Sequence, residues 1–101
     1  MRIWTIEKTA DARIPVFMSW ALWVKGEREQ LDQAVAITSS VWTADGGIDL
    51  LADPPEILDG TRTGVWLEGG TVGGRYEITN TIATDAGHTG VERSILVIVV
   101  D

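Results

Sequence analysis

From Tyr76 to Ala83 the sequence alternates without a break, with Tyr76, Ile78, Asn80 and Ile82 on one parity and Glu77, Thr79, Thr81 and Ala83 on the other. A period of two sorts side chains onto the two faces of a β-strand, and no helical period sorts these residues as cleanly. A second run, Glu92 to Val100, follows Asp85-Ala86-Gly87. The two runs read as a hairpin, with Gly87 where the turn needs a positive φ. The last six residues of that run, Ile95 to Val100, are apolar on both parities, which predicts burial on both faces.

Upstream the pattern is shorter and more broken. Arg2 to Glu7 predicts a first strand and Lys8 to Arg13 a polar turn. Pro15 suits an edge or an irregular strand start, because it has no donor for a ladder. Val16 to Val24 is aromatic and apolar on both parities and predicts a segment covered on both sides. Glu27 to Gln33 is a charged patch, turn-like or helical, too short to organise the fold. In Ala34 to Thr43, Val35, Ile37, Ser39 and Val41 share one face, with Ala36, Thr38, Ser40 and Trp42 on the other. Asp45-Gly46-Gly47 marks a reversal before a short strand, Ile48 to Leu51. Asp53-Pro54-Pro55 is a break, Glu56 to Leu58 another short piece, and Asp59-Gly60 a turn before Thr61 to Glu68. Gly69-Gly70 and Gly73-Gly74 then isolate Thr71-Val72 as turn sequence.

Seven to eight short strands at near-regular turn spacing predict an all-β fold, an immunoglobulin-like antiparallel β-sandwich occupying residues 1–101 as a single domain. Tyr76 opens a long strand behind a Gly-rich turn. That is the place of a tyrosine corner, with plain core packing as the alternative.

Composition narrows the partners. Fifteen acidic against eight basic residues give a net charge of -7, which repels phosphate backbones and anionic membranes. Neither a nucleic acid nor a membrane is therefore expected as a partner. The chain has no cysteine, so disulfides, thiolate chemistry and sulfur-ligated zinc are excluded. Ile14 to Val24 has the length of a signal-peptide core, but Glu7 and Asp11 precede it and Lys25-Gly26-Glu27-Arg28 follows where small residues would mark cleavage. It also falls short of the roughly 20 residues that span a bilayer. Cytosolic synthesis is the expectation.

Catalytic chemistry finds no support. His88 is the single histidine, and with no second histidine or cysteine to complete a metal or acid-base set it reads as a solvated turn residue. Ser19, Ser39, Ser40 and Ser94 sit in ordinary strand contexts, not a nucleophile elbow. Asp45, Asp49, Asp53, Glu56 and Asp59 lack the spacing of a calcium loop and read as a solvated acidic edge. The Gly-Gly pairs precede a strand, whereas phosphate binding requires a helix start. No enzyme activity, metal or cofactor is expected.

Five tryptophans in so small a chain are the anomaly: Trp4, Trp20, Trp23, Trp42 and Trp66. Trp20 and Trp23 cannot share one strand's inward row, and Trp66 lies on the opposite parity from Val65 and Leu67. Some indole surface is therefore expected outside, as a sugar-stacking platform or a protein-interface anchor, with simple core filling as the alternative. The interface candidates are Trp20, Trp23, Trp42 and Trp66, joined by Ile95, Val97 and Val99. Tyr76, Gly69, Gly70 and Gly87 are structural candidates.

Three segments carry a family resemblance. They are Lys8-Thr9-Ala10-Asp11-Ala12 with Trp20-Ala21-Leu22-Trp23-Val24, then Ile37-Thr38-Ser39-Ser40-Val41-Trp42-Thr43, and a closing block. The closing block runs Trp66-Leu67-Glu68-Gly69-Gly70-Thr71, Tyr76-Glu77-Ile78-Thr79-Asn80-Thr81-Ile82 and Glu92-Arg93-Ser94-Ile95. In these the chain resembles the small immunoglobulin-like structural proteins of tailed bacteriophages, the fiber-tail adaptor or phage-related protein family. It departs from the family's pattern at Thr9-Ala10, where an acidic residue and proline are usual, and at Ser19, where an aspartate often precedes the tryptophan. The resemblance implies a non-enzymatic virion component, made in the bacterial host cytoplasm. It would be present in several copies as a ring and bridge the neck or tail connector to fibers or neighbouring virion proteins. A carbohydrate-binding module using exposed tryptophans, and a capsid decoration protein, are the alternatives.

Overall fold

The computed structural model describes residues 2–51 and 57–101. In chain order these form β1 (Arg2–Thr9), β2 (Ile14–Ser19), α1 (Ala21–Leu31), β3 (Ile37–Ala44), β4 (Ile48–Leu51), β5 (Ile57–Leu58), β6 (Arg62–Gly69), β7 (Arg75–Thr84) and β8 (Val91–Val100). The Asp53-Pro54-Pro55 break, Glu56 and the side chain of Trp4 lie outside the described residues.

The alternating segments become strands because each hides one parity. β7 and β8 form the expected hairpin, in register from Arg75 opposite Ile98 to Ile82 opposite Val91. With β1 and β3 they make a four-stranded sheet in the order β1-β8-β7-β3, which faces a second sheet, β2-β6-β4, with β5 also paired to β6. The architecture is an all-β sandwich. Its β8-β7-β3 and β2-β6-β4 orders are the G-F-C and B-E-D orders of the immunoglobulin fold. The expectation of a wholly antiparallel sandwich is corrected at one edge, where β1 runs parallel to β8, with Ile6 opposite Val97 and Thr9 opposite Val100. A first and a last strand in one sheet, far apart in sequence, need no hairpin to join them.

Two local readings change for identifiable reasons. The apolar stretch to Val24 is not one strand. β2 stops at Ser19, and an eleven-residue helix begins at Ala21. Trp20 and Val24 are both buried, four residues apart on one helical face, and the Val24 amide donates to Trp20 O at 2.8 Å. Both parities therefore look apolar because a strand period gives way to a helical one. In β3 a bulge between Ile37 and Ser39 adds one residue and inverts the parity beyond it. Ile37 stays inside, but Trp42 and Ala44 then pack against the core while Val41 is exposed.

The core between the sheets is built from Val16, Met18, Ile48, Val65, Leu67, Ile78, Ile82, Ile95 and Val97, with Trp20, Val24 and Val35 closing it on the helix side. Full burial of each such aliphatic side chain contributes about 1.5–3 kcal/mol. Five polar side chains are buried among the described residues, Lys8, Thr63, Asn80, Thr84 and Ser94. Asn80 accepts from Trp20 Nε1 (3.0 Å) and Thr63 Oγ1 (2.6 Å) and donates to Ser40 Oγ (2.8 Å) and Val41 O (3.2 Å). Thr63 belongs to the opposite sheet, so this one amide links both layers and the start of the helix. The sequence places Lys8 at the head of a polar turn. It lies instead within β1, 2% exposed, with Nζ donating to Thr9 O, Ala10 O and Gly69 O at 2.9, 3.2 and 2.7 Å. An ammonium has three protons, and here each finds a carbonyl.

Candidate functional site

The tryptophans divide by strand parity. Trp20 is fully buried, its ring under the Arg93 guanidinium (4.3 Å) and edge-on to Trp23 (5.8 Å). It is a core residue and not a surface anchor, because the first turn of α1 aims it between the sheets. Partial burial lowers the Arg93 pKa, yet a guanidinium remains cationic at any accessible pH. Trp42 packs half-buried on the core opposite Asn80, and its enclosed indole N–H has no partner among the described residues. Trp23 is half-buried on α1, edge-on to His88 at 5.0 Å.

His88 is not solvated as expected. Its side chain is 19% exposed, with Nδ1 2.7 Å from Thr84 Oγ1 and Nε2 3.7 Å from Glu27 Oε1. Thr84 Oγ1 also accepts the Ala86 and His88 amides (3.2 and 3.4 Å). Nε2 faces Glu27. The ring fastens the helix to the β7–β8 turn.

Ile95, Val97 and Val99 are buried as well, which corrects their placement at an interface. Register decides it: Ile95 lies opposite Ile78, and Val97 lies between Ile6 and Tyr76, on the inner side of the sheet. The apolar residues of β8 on the outer face are Leu96, Ile98 and Val100. The apolar run predicts coverage on both sides, but among the described residues a second layer covers only the inner side.

Trp66 alone among the described tryptophans lies on an outer sheet face. Pro15 and Leu51 stand opposite it on the two neighbouring strands, and Arg13 sits over its ring at 4.9 Å. Arg13 also approaches Glu68 at 3.9 Å. Phe17, 45% exposed, continues the strip by lying across Gly64, where a β-carbon would come within 2.6 Å of its ring. Pro15, Phe17, Trp66 and Leu51 thus form an aromatic and aliphatic face on the β2-β6-β4 sheet. Phe17 and Gly64 were absent from the sequence-derived candidates, although their outward parity beside Trp66 was available once β2 was bounded correctly.

Of the structural candidates, Gly69, Gly70 and Tyr76 lie at the β6–β7 turn and Gly87 in the β7–β8 turn. Tyr76 OH accepts the Thr71 amide, five positions earlier, at 2.9 Å, closing a corner at the start of β7. Gly69, Gly70 and Gly87 have φ of 84°, 94° and 99°. At Gly70 the space is also closed, since a β-carbon would meet Val99 Cγ2 at 2.6 Å. The acidic residues serve loops: Asp45 Oδ2 accepts the Glu77 amide and Asp85 Oδ1 the Ala36 amide, both at 2.9 Å. Among the described residues no three metal-ligating side chains converge and no concave pocket opens. What the surface offers is sheet faces.

Residues 8–98 match a family model, that of the podophage GP4 fiber-tail adaptor protein gp77. The chain belongs to this family. The matched span begins at the buried Lys8 near the end of β1 and ends within β8, so it takes in the helix and every strand but most of β1. Membership in the adaptor family makes the protein a structural component of a bacteriophage. No curated protein matches the chain. Among solved structures, the solution structure of amebosin aligns with 97% of this chain and 95% of its own, at 13% identity and a TM-score of 0.40. A likeness that weak carries no argument about function.

Proposed function

We propose that the chain is a non-enzymatic virion adaptor that joins the neck or tail connector to fibers or neighbouring virion proteins. One of these partners binds on the face formed by Pro15, Phe17, Trp66 and Leu51. The observation that carries the reading is the family match over residues 8–98. The aromatic face supports it, because tryptophan, phenylalanine and arginine grouped on an open surface have the composition of an interface hot spot. Several copies in a ring would raise effective concentration, so weak individual contacts suffice. The carbohydrate reading has less support, since Arg13 occupies the ring face of Trp66 on which a sugar would stack.

Particles assembled without this chain test the reading. The adaptor function predicts tails that lack fibers and regain them when the purified protein is added. Fiber-bearing, infectious particles made without the chain would refute it.

A further inference from the structure

β8 is a central strand of its sheet, flanked by β1 and β7, and its outer side chains Leu96, Ile98 and Val100 are half-buried with no layer of the described chain above them. Register gives this strip its borders. Ile98 lies between Glu7 and Arg75, and Leu96 between Thr5 and Glu77. Farther along, Glu92 lies opposite Thr81, and Thr81 opposite the 56% exposed Val41. The face is therefore an aliphatic strip bordered by three exposed carboxylates and one guanidinium. Among the described residues, no salt bridge engages Glu7, Glu77 or Glu92, whereas on the side of the other sheet Glu68 and Asp59 are paired with Arg13 and Arg62.

These charges select an occupant. A second copy of a chain with net charge -7 would bring two such acidic borders into contact, and like-charge juxtaposition opposes that pairing. An aliphatic strip edged with lysine or arginine matches both the apolar ridge and the uncompensated carboxylates. We propose that the outer face of the β1-β8-β7-β3 sheet is a second docking surface, taken by a virion protein that presents a basic-edged aliphatic strip. The inference rests on the adaptor reading and adds geometry to it. The two docking faces lie on opposite sides of the sandwich, whose layers pack about 10 Å apart, so two partners bind at once without competing.

Carbodiimide labelling of carboxylates, compared between the free protein and purified virions, tests this directly. The proposal expects Glu7, Glu77 and Glu92 to label readily in the free protein and several-fold less in virions, while Glu29 on α1 labels equally in both. It also expects the E77K/E92K double variant to keep the wild-type unfolding midpoint and enter virions several-fold less than wild type, with E29K unaffected. Equal labelling of the three glutamates in free and virion-bound protein overturns the second surface and leaves the adaptor reading standing. Protection of these glutamates in a self-associated form that salt strengthens, seen by light scattering, overturns the basic partner in favour of a second copy. Absence of the chain from virions overturns the adaptor reading and this surface with it.

Discussion

Trp20 donates its indole N–H to the side-chain oxygen of Asn80 across 3.0 Å, at the point where the helix start and the two sheets meet. The tryptophan supplies the largest enclosed apolar surface, and the amide satisfies the polar atom that comes with it. Neither residue is well placed without the other.

Replacing Asn80 by alanine therefore costs more than one hydrogen bond. The Trp20 N–H and the Thr63 hydroxyl lose their shared acceptor, and each stranded buried group costs about 1–3 kcal/mol. Asn80→Ala is expected to lower the unfolding free energy by about 3–5 kcal/mol, and Trp20→Phe by less, because phenylalanine removes the orphaned donor along with its bond. Urea titrations followed by circular dichroism check both values.

Lys8 makes a second prediction. Its three carbonyl partners tie the end of β1 and the following turn to the end of β6 in the opposite sheet. Lys8→Met keeps the aliphatic stem but strands those carbonyls, and hydrogen bonds to a charged group contribute about 1.5–3 kcal/mol. A loss of about that size is expected in the same titration, with amide exchange accelerated first around Gly69.

Tyr76 and Trp66 separate folding from binding. Tyr76→Phe removes an exposed corner bond to the Thr71 amide and should cost about 1 kcal/mol of stability with partner binding unchanged. Trp66→Ala should do the reverse, leaving the fold cooperative while weakening the partner contact by about 2 kcal/mol or more, the scale of an interface hot spot. Denaturation curves set beside binding titrations with the purified fiber or connector protein distinguish the two. An unfolded Trp66→Ala with a silent Tyr76→Phe would invert the assignment.

Asp59 gives a pH signature. The Thr61 hydroxyl hydrogen bond lowers its pKa below the usual 3.8, with Arg62 at 3.8 Å adding to the effect. A carboxylate with a folded pKa below its unfolded value stabilises the fold above the unfolded pKa, and the gain disappears as pH falls through the folded pKa. Asparagine tolerates the positive φ of 47° at this position. Asp59→Asn should thus melt lower than wild type at neutral pH, and the gap should close below the ordinary carboxylate range. Thermal melts across pH 2–7 read it out.

Much of this architecture is legible in the chain because strands announce themselves by parity. Tyr76 to Ala83 and Glu92 to Val100 specify the hairpin, and the Gly-rich turn before Tyr76 specifies its corner. Inside and outside were harder to assign wherever one residue shifts the count. The bulge in β3 exchanges Val41 and Trp42, and the strand-to-helix change after Ser19 makes Trp20 a core residue. In β8 both parities are apolar, so only pairing with Ile6, Tyr76 and Ile78 shows that Ile95, Val97 and Val99 are the inner set. Lys8 was not legible at all, since a buried ammonium looks the same in sequence as a solvated one.

The central claim is that this small sandwich bridges two virion proteins, and the most direct test is an electron cryomicroscopy map of the intact tail at side-chain resolution. The account predicts the chain between two different proteins, one seated on Phe17 and Trp66 and the other on Leu96 and Ile98. A chain that touches a single partner, or that leaves both of these faces in solvent, would contradict it.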